Sequence, residues 1–295
     1  MVVVIAIPGS EEHAHKLGVR LAAPVIVAHV RPFPDGEIFV RVDGDVAGRD
    51  AVVVGNLYPA PAEKFLTVAF VAATLRDLGA RRVGLVAPYL AFMRQDTRFH
   101  AGEGVTSAYF ARLVSGVVDW MVTVDPHLHR IASLDGLYTI PTTIARAAPA
   151  IARWIAAEVT QPVLIGPDAE SAQWVTAVAE QCGAPFAILE KTRRGDRDVS
   201  ISAPGRTWNG HTPVVIDDIV STGKTMVEAT RQLRAAGSRA PVCVAIHAVF
   251  ADAVHDELVS AGAATIVTCD TIPHASNRIC VADPIAEAAR AHLGL

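Results

Sequence analysis

The segment 214–225, VVIDDIVSTGKT, constrains this chain more than any other. Val214, Val215 and Ile216 make the short continuous apolar run of a parallel strand covered on both faces, and such strands point their carboxyl ends at ligand crevices. Asp217 and Asp218 stand at that end. Successive strand residues face opposite ways, so the two carboxylates can divide between sugar hydroxyls and a cation or structural partner. Ser221, Thr222, Gly223, Lys224 and Thr225 then supply hydroxyls, a residue without Cβ and backbone N–H groups at the start of a helix expected over 225–236. A helix start of that kind stabilises a phosphate. A Walker-type loop is excluded by spacing: it needs Gly five residues before the Gly-Lys pair, and that position is Asp218. Taken alone, the string could also do no more than cap a helix.

The rest of the chain supplies a frame. Strand-like runs at 2–8, 25–30, 51–56, 83–88 and 121–125 alternate with helical stretches, and a second series follows at 162–166, 186–190, 213–218, 242–249, 265–269 and 278–281. This alternation implies an α/β fold with mainly parallel sheets and right-handed crossovers. With 295 residues, 51% of them hydrophobic, there is core for two domains. They are expected at 1–145 and 146–295, divided where Pro, Thr and Ala between Pro141 and Pro149 replace the strand signals. One helix is well marked, over 61–78, by Pro61 in its first turn and Gly79 after its end. A further helical signal, after the phosphate loop, carries Met226, Thr230 and Leu233 on its core face, with Glu228 and Arg231 able to pair outside. A hairpin interrupts the first half: Pro34-Asp35-Gly36 is a turn, followed by Ile38, Val40 and Val42 in period-two alternation.

Composition narrows the function classes. A net charge of −4 offers no footprint for nucleic acid or an anionic membrane, so the partner is expected to be a small molecule. The opening residues have no positively charged leader, and the most apolar helical stretch, 65–75, is far too short for a membrane span. Cys182, Cys243, Cys269 and Cys280 lack CxxC or zinc spacing, so reduced thiols in a cytoplasmic protein are expected.

Four further segments align with the first: Phe33-Pro34-Asp35-Gly36-Glu37; Arg94-Gln95-Asp96 within a loop at 89–103; Val124-Asp125-Pro126-His127; and Gly166-Pro167-Asp168 with Lys191-Thr192-Arg193 downstream. In order and spacing, from about residue 8 to residue 290, they resemble the ribose-phosphate pyrophosphokinase (phosphoribosyl pyrophosphate synthetase) family, and the stretch 94–103 is similar to its archaeal-type members. The resemblance implies two phosphoribosyltransferase-like domains, an N-terminal β-hairpin excursion, and transfer of the diphosphoryl group of ATP to the 1-hydroxyl of ribose 5-phosphate. It assigns Asp217, Asp218 and Ser221 to Thr225 to ribose 5-phosphate, and Arg94, Gln95 and Asp96 to ATP. Phe33, Asp35 and Glu37 frame the adenine of a neighbouring subunit, so a homo-oligomer is implied. His127 and Asp168 organise Mg2+, and Lys191 and Arg193 are the catalytic cations, which suits a transfer that depends on positioning and charge neutralisation.

The family pattern is not kept everywhere. After Asp168 it continues with Ala and two glycines, whereas Ala169 is followed here by Glu170 and Ser171. Asp125 to His129 also reads as the DxHxH metal strand of amidohydrolase-type enzymes, a signature that belongs near the start of a (β/α)8 barrel. Two other readings of the whole chain are a non-catalytic regulatory relative of the family and a phosphoribosyltransferase. The second leaves Phe33 to Glu37 and Arg94 to Asp96 without a task.

Overall fold

Runs of Val, Ile and Ala too short for helices, most of them followed by a turn and a helix, form two open parallel sheets. The computed structural model describes the chain except residues 129, 132, 195–197, 203–209, 220–222 and 252, and gives the backbone alone for 190–194 and 198–202. The chain forms two compact units: unit 1 is Met1–Arg146 with Val281–Leu295, and unit 2 is Ala147–Cys280.

Unit 1 runs β1 (Val2–Ala6), α1 (Glu11–Leu21), β2 (Val25–Val27), β3 (His29–Pro32), β4 (Ile38–Arg41), β5 (Asp50–Val54), α2 (Pro61–Asp77), β6 (Arg82–Ala87), α3 (Thr106–Ser115), β7 (Trp120–Val124) and β8 (Thr142–Ala145). Its six-stranded sheet has the order β2-β1-β5-β6-β7-β8, parallel throughout. Every residue of β5 and β7 is buried, as strands covered on both faces require. The expected hairpin is β3–β4, antiparallel and separate from the sheet. β8 occupies the stretch that the sequence marked as a boundary. It is an edge strand, and its Thr-Thr-Ile-Ala run beside Pro141 carries little of the apolar signal of a central strand.

Unit 2 runs α4 (Ala148–Glu158), β9 (Pro162–Gly166), α5 (Ala172–Cys182), β10 (Phe186–Ile188), β11 (Glu190–Arg194), β12 (Asp198–Ser202), β13 (Thr212–Ile219), α6 (Lys224–Ala235), β14 (Val242–His247), α7 (Val254–Ser260), β15 (Thr265–Cys269) and β16 (Asn277–Ile279). Its parallel sheet has the order β10-β9-β13-β14-β15-β16, with β11–β12 as a separate antiparallel hairpin. Strand for strand this repeats unit 1, and in both a hairpin follows the second strand. Each sheet reverses its winding between its first strand and the strand after the hairpin, at β1/β5 and at β9/β13, and ligands of such sheets bind outside the carboxyl ends there. Two open sheets also remove the barrel on which the DxHxH reading depends.

The closing helix α8 (Ala282–Leu293) corrects the expected division at the second domain's end. Its buried face of Ile285, Ala286, Ala289 and Leu293 belongs to unit 1, against α1, β7 and β8. The His292 ring stacks on Trp120 at 4.8 Å, its Nε2 shares a 2.9 Å hydrogen bond with Thr143 Oγ1, and Arg82 donates to the His292 carbonyl at 2.8 Å. No disulfide joins the four cysteines, and among the described residues no helix is long and apolar enough to cross a membrane.

Candidate active site

In unit 2, β9 and β13 lie side by side with Leu164 opposite Val214 and Ile165 opposite Val215, so both strands leave the sheet together. β9 leads to Asp168, β13 ends in Asp217 and Asp218, and α6 begins just beyond. Asp168 Oδ1 accepts the N–H groups of Glu170 and Ser171 at 3.1 and 3.2 Å, capping a 3-10 turn that feeds α5. Ser171 is buried and its hydroxyl donates back to the Asp168 carbonyl at 2.6 Å. The departure at 170–171 therefore locks this loop through Ser171 and leaves Glu170 exposed.

The paired acids differ as the strand alternation requires. Asp218 is buried and its Oδ1 accepts the Ile219 N–H at 2.8 Å; Asp217 is half-buried and its Oδ1 accepts the Asp218 N–H at 2.9 Å. Burial, then the charges of Asp218 and Asp168, push the Asp217 carboxyl up to about 8. Asp168, Asp217 and Asp218 thus offer carboxylate oxygens, the donor type a hard divalent cation prefers, without closing around one site. Among the described residues no three His, Cys, Asp or Glu side chains are grouped to enclose a metal. Magnesium fits such a set, because it takes one or two carboxylates and completes its shell with water and substrate phosphate oxygens.

α6 begins close behind these acids in the chain. Its cap is Gly223 at φ +63°, with no side-chain hydrogen bond to the first turn, and a Cβ at 223 would lie 2.3 Å from Val254 Cγ1. The helix is anchored by buried Met226, Val227, Ala229, Thr230 and Leu233, with Met and Leu each contributing about 1.5–3 kcal/mol by burial. Its packing fixes the first turn, whose N–H groups receive no side-chain cap. Lys224 is exposed and Thr225 half-buried at its start. Glu228, on its outer face, accepts from Gln232 Nε2 at 2.6 Å. Ser221 and Thr222 lie outside the described residues, as do the side chains of Lys191 and Arg193, whose backbone belongs to β11.

Unit 1 carries the remaining expected positions. Phe33 to Glu37 is a tight turn: Phe33 N–H donates to the Glu37 carbonyl at 2.7 Å, Gly36 N–H to the Phe33 carbonyl at 2.9 Å, and Glu37 N–H to Asp35 Oδ1 at 3.1 Å. Asp35 thus shapes the turn while Phe33 and Glu37 stay exposed. Between this hairpin and α2 lies a cleft of about 930 Å³, lined in part by Arg31, Glu37, Lys64 and Phe70. Arg94 is exposed, and the Gln95 carbonyl accepts the Ser107 N–H at 3.3 Å. Asp96, expected at ATP with its two neighbours, has a carboxylate only 4% exposed that accepts from Arg130 at 3.2 Å. The Arg130 guanidinium also lies over Phe99 at 5.3 Å, so it braces the loop that bears Arg94. His127 is half-buried just after the end of β7, where Asp125 adopts φ 27° and accepts from Arg146 at 2.9 Å. His127 belongs to unit 1 and Asp168 to unit 2; His129 lies outside the described residues.

Arg130, Arg146 and Ser171 had no assigned part in the sequence reading. Only Ser171 left a signal there, as a departure from the family pattern. The arginines act through acids 34 and 21 residues away, which no local pattern encodes.

The chain is similar to known proteins along most of its length. Residues 2–117 match a family model described as the N-terminal domain of ribose phosphate pyrophosphokinase, and residues 134–283 one described as a phosphoribosyl transferase domain. A ribose-phosphate pyrophosphokinase of Methanopyrus kandleri is 35% identical over 92% of this chain and 94% of its own. One from Sulfurisphaera tokodaii is 30% identical over 93% and 94%. The crystal structure of phosphoribosylpyrophosphate synthetase from Mycobacterium smegmatis superposes with a TM-score of 0.84 at 26% identity, covering 99% of both chains.

Proposed function

We propose that this chain, which belongs to the ribose-phosphate pyrophosphokinase family, transfers the β,γ-diphosphoryl group of ATP to the 1-hydroxyl of ribose 5-phosphate, giving phosphoribosyl diphosphate and AMP. The observation that carries this reading is the grouping of Asp168, Asp217 and Asp218 beside the start of α6 at the winding reversal of unit 2. It offers acceptors for sugar hydroxyls next to donors for a phosphate.

In this reading the N–H groups and hydroxyls of Ser221 to Thr225 bind the 5-phosphate. Asp217 and Asp218 accept hydrogen bonds from the 2- and 3-hydroxyls, and the sugar is held at both ends with its 1-hydroxyl presented. That oxygen forms a bond to the β-phosphorus of ATP as the bond between the β-phosphorus and the α,β-bridging oxygen breaks. The bridging oxygen leaves on AMP, and the 1-hydroxyl proton is lost to solvent. Lys191 and Arg193 neutralise the charge that builds on the diphosphoryl oxygens, a role in which a positioned cation acts more strongly in the transition state than in the ground state. Arg94 and Gln95 bind the ATP chain, the first by its forked donors, and Asp96 supports them by holding Arg130.

Magnesium, the cation this family uses, supplies charge neutralisation to the polyphosphate when bound. Asp168 is the residue proposed to hold it in unit 2, and His127 the residue proposed in unit 1. Phe33, Asp35 and Glu37 are proposed to meet the adenine of a neighbouring subunit, which makes a homo-oligomer the active form.

The test is incubation of the purified chain with ATP, Mg2+ and ribose 5-phosphate. AMP and phosphoribosyl diphosphate are expected in equal amounts. No AMP above background contradicts the reading and favours a non-catalytic relative.

A further inference from the structure

We infer that Arg31 is a positioning residue for the nucleobase: with Phe39 it fixes the exposed ring of Phe33 in the orientation that receives a purine. The inference rests on the proposed contact between Phe33 and adenine and adds a residue to which neither the sequence pattern nor the family resemblance gives a part.

Arg31 and Phe39 are direct cross-strand partners in the β3–β4 hairpin, and Phe33 opens the turn between them. The Arg31 guanidinium carbon lies 4.5 Å from the centre of the Phe39 ring and 4.9 Å from that of Phe33, and the two rings meet edge to face at 6.1 Å and 84°. One cation thus sits in the corner formed by two aromatic rings, within the distance at which the ring quadrupoles attract it. Phe33 remains 37% exposed.

A lone exposed phenylalanine on a hairpin samples several rotamers and loses that freedom when a base stacks on it. Holding the ring beforehand removes this cost from binding. The opening turn holds the backbone of Phe33 through its bonds with Glu37 and Gly36, and Arg31 and Phe39 hold its side chain. Arg31 and Glu37 also line the cleft beside α2.

The experiment is a double-mutant cycle on the full chain, reading KM for ATP, KM for ribose 5-phosphate and kcat for Arg31→Ala, Phe33→Ala and the pair. Arg31→Ala is expected to raise KM for ATP about three- to tenfold, the range that two exposed cation–π contacts support. KM for ribose 5-phosphate and kcat at saturating ATP should stay within about twofold, a split that general loss of folding does not produce. Arg31→Lys, which keeps the charge but not the planar stack, should recover only part of the change. In the double variant the effect of Arg31 should vanish, because its action passes through Phe33. If the two effects multiply, Arg31 touches the nucleotide itself and the inference is overturned. It is overturned likewise if Phe33→Ala raises KM for ATP while Arg31→Ala does not, an outcome that leaves the adenine contact standing. If Phe33→Ala leaves KM for ATP unchanged, the adenine contact fails and the inference fails with it.

Discussion

The two units share a strand order, a winding reversal and an inserted hairpin, yet they treat buried acids in opposite ways. In unit 1, Asp50 at the start of β5 is buried. Burial raises its carboxyl, but hydrogen bonds from Arg81 and Arg82, at 3.0 and 3.3 Å from their Nε atoms, outweigh this and bring it down to about 2. In unit 2, Asp217 has two further acids as its electrostatic neighbours and is pushed up to about 8. A paired acid at the amino end of a strand serves the fold. Acids crowded at the carboxyl ends, where the sheet reverses, keep their binding capacity for a ligand.

The hairpins offer the sharpest way to break this contrast. Lys191→Ala, in the hairpin of unit 2, is expected to lower kcat about a hundred- to thousandfold with little change in KM for ribose 5-phosphate, because its proposed role lies in the transition state. A rise in KM alone, measured by steady-state kinetics, would place Lys191 in ground-state binding instead.

Next come the turns after the strands. Gly223→Ala sets a Cβ 2.3 Å from Val254 Cγ1 at a positive φ, so the α6 start must shift, and KM for ribose 5-phosphate is expected to rise about tenfold or more. Gly9→Ala, in the loop after β1 of unit 1, is also strained at φ +81°, but its Cβ meets only Lys64 Nζ at 4.0 Å. That variant should lose about 1–2 kcal/mol of stability and keep its KM for ribose 5-phosphate. Equal effects on that KM would erase the distinction between the units.

Asp50→Asn should destabilise the protein by about 1–3 kcal/mol in denaturant titration, since it breaks a buried acid's pairs with two half-exposed arginines, and should leave KM values unchanged.

The smallest expected effect is on the pH dependence of stability, where the units have opposite signs. Asp50, lowered in the fold, contributes stability that is present above its ordinary value of 3.8 and is lost as pH falls through about 2. Asp217, raised in the fold, holds its proton when the unfolded chain has released it. Its contribution is greatest below pH 3.8 and is lost as pH rises through about 8. Melting temperature of the ligand-free protein should therefore decline between pH 5 and 9, and Asp217→Asn should flatten that decline. A decline that persists unaltered in the variant assigns it to other groups.

How much of this was legible in the sequence depends on the range of the forces involved. Strands 162–166 and 265–269 have the bounds that the sequence marks, because turn formers or polar residues flank short β-branched runs. The ribose-phosphate motif was legible because strand, acids, glycine and helix start are contiguous. β8 reads as a boundary in the sequence because an edge strand needs fewer apolar residues. The packing of α8 depends on Trp120, Thr143 and Arg82, 149 or more residues away from His292, and nothing in its own periodicity names the unit it covers. The resemblance assigns Asp96 to ATP together with Arg94 and Gln95, and nothing local in the sequence names its partner Arg130, 34 residues away. Its pairing with Arg130 joins two loops of unit 1.

Amide hydrogen exchange, followed by mass spectrometry with and without ribose 5-phosphate and Mg2+, tests the contrast most directly. Protection is expected in peptides spanning 166–172 and 217–228 and not in those spanning 7–12 and 55–62. Protection confined to the unit 1 peptides would contradict the assignment of the acceptor sugar to unit 2.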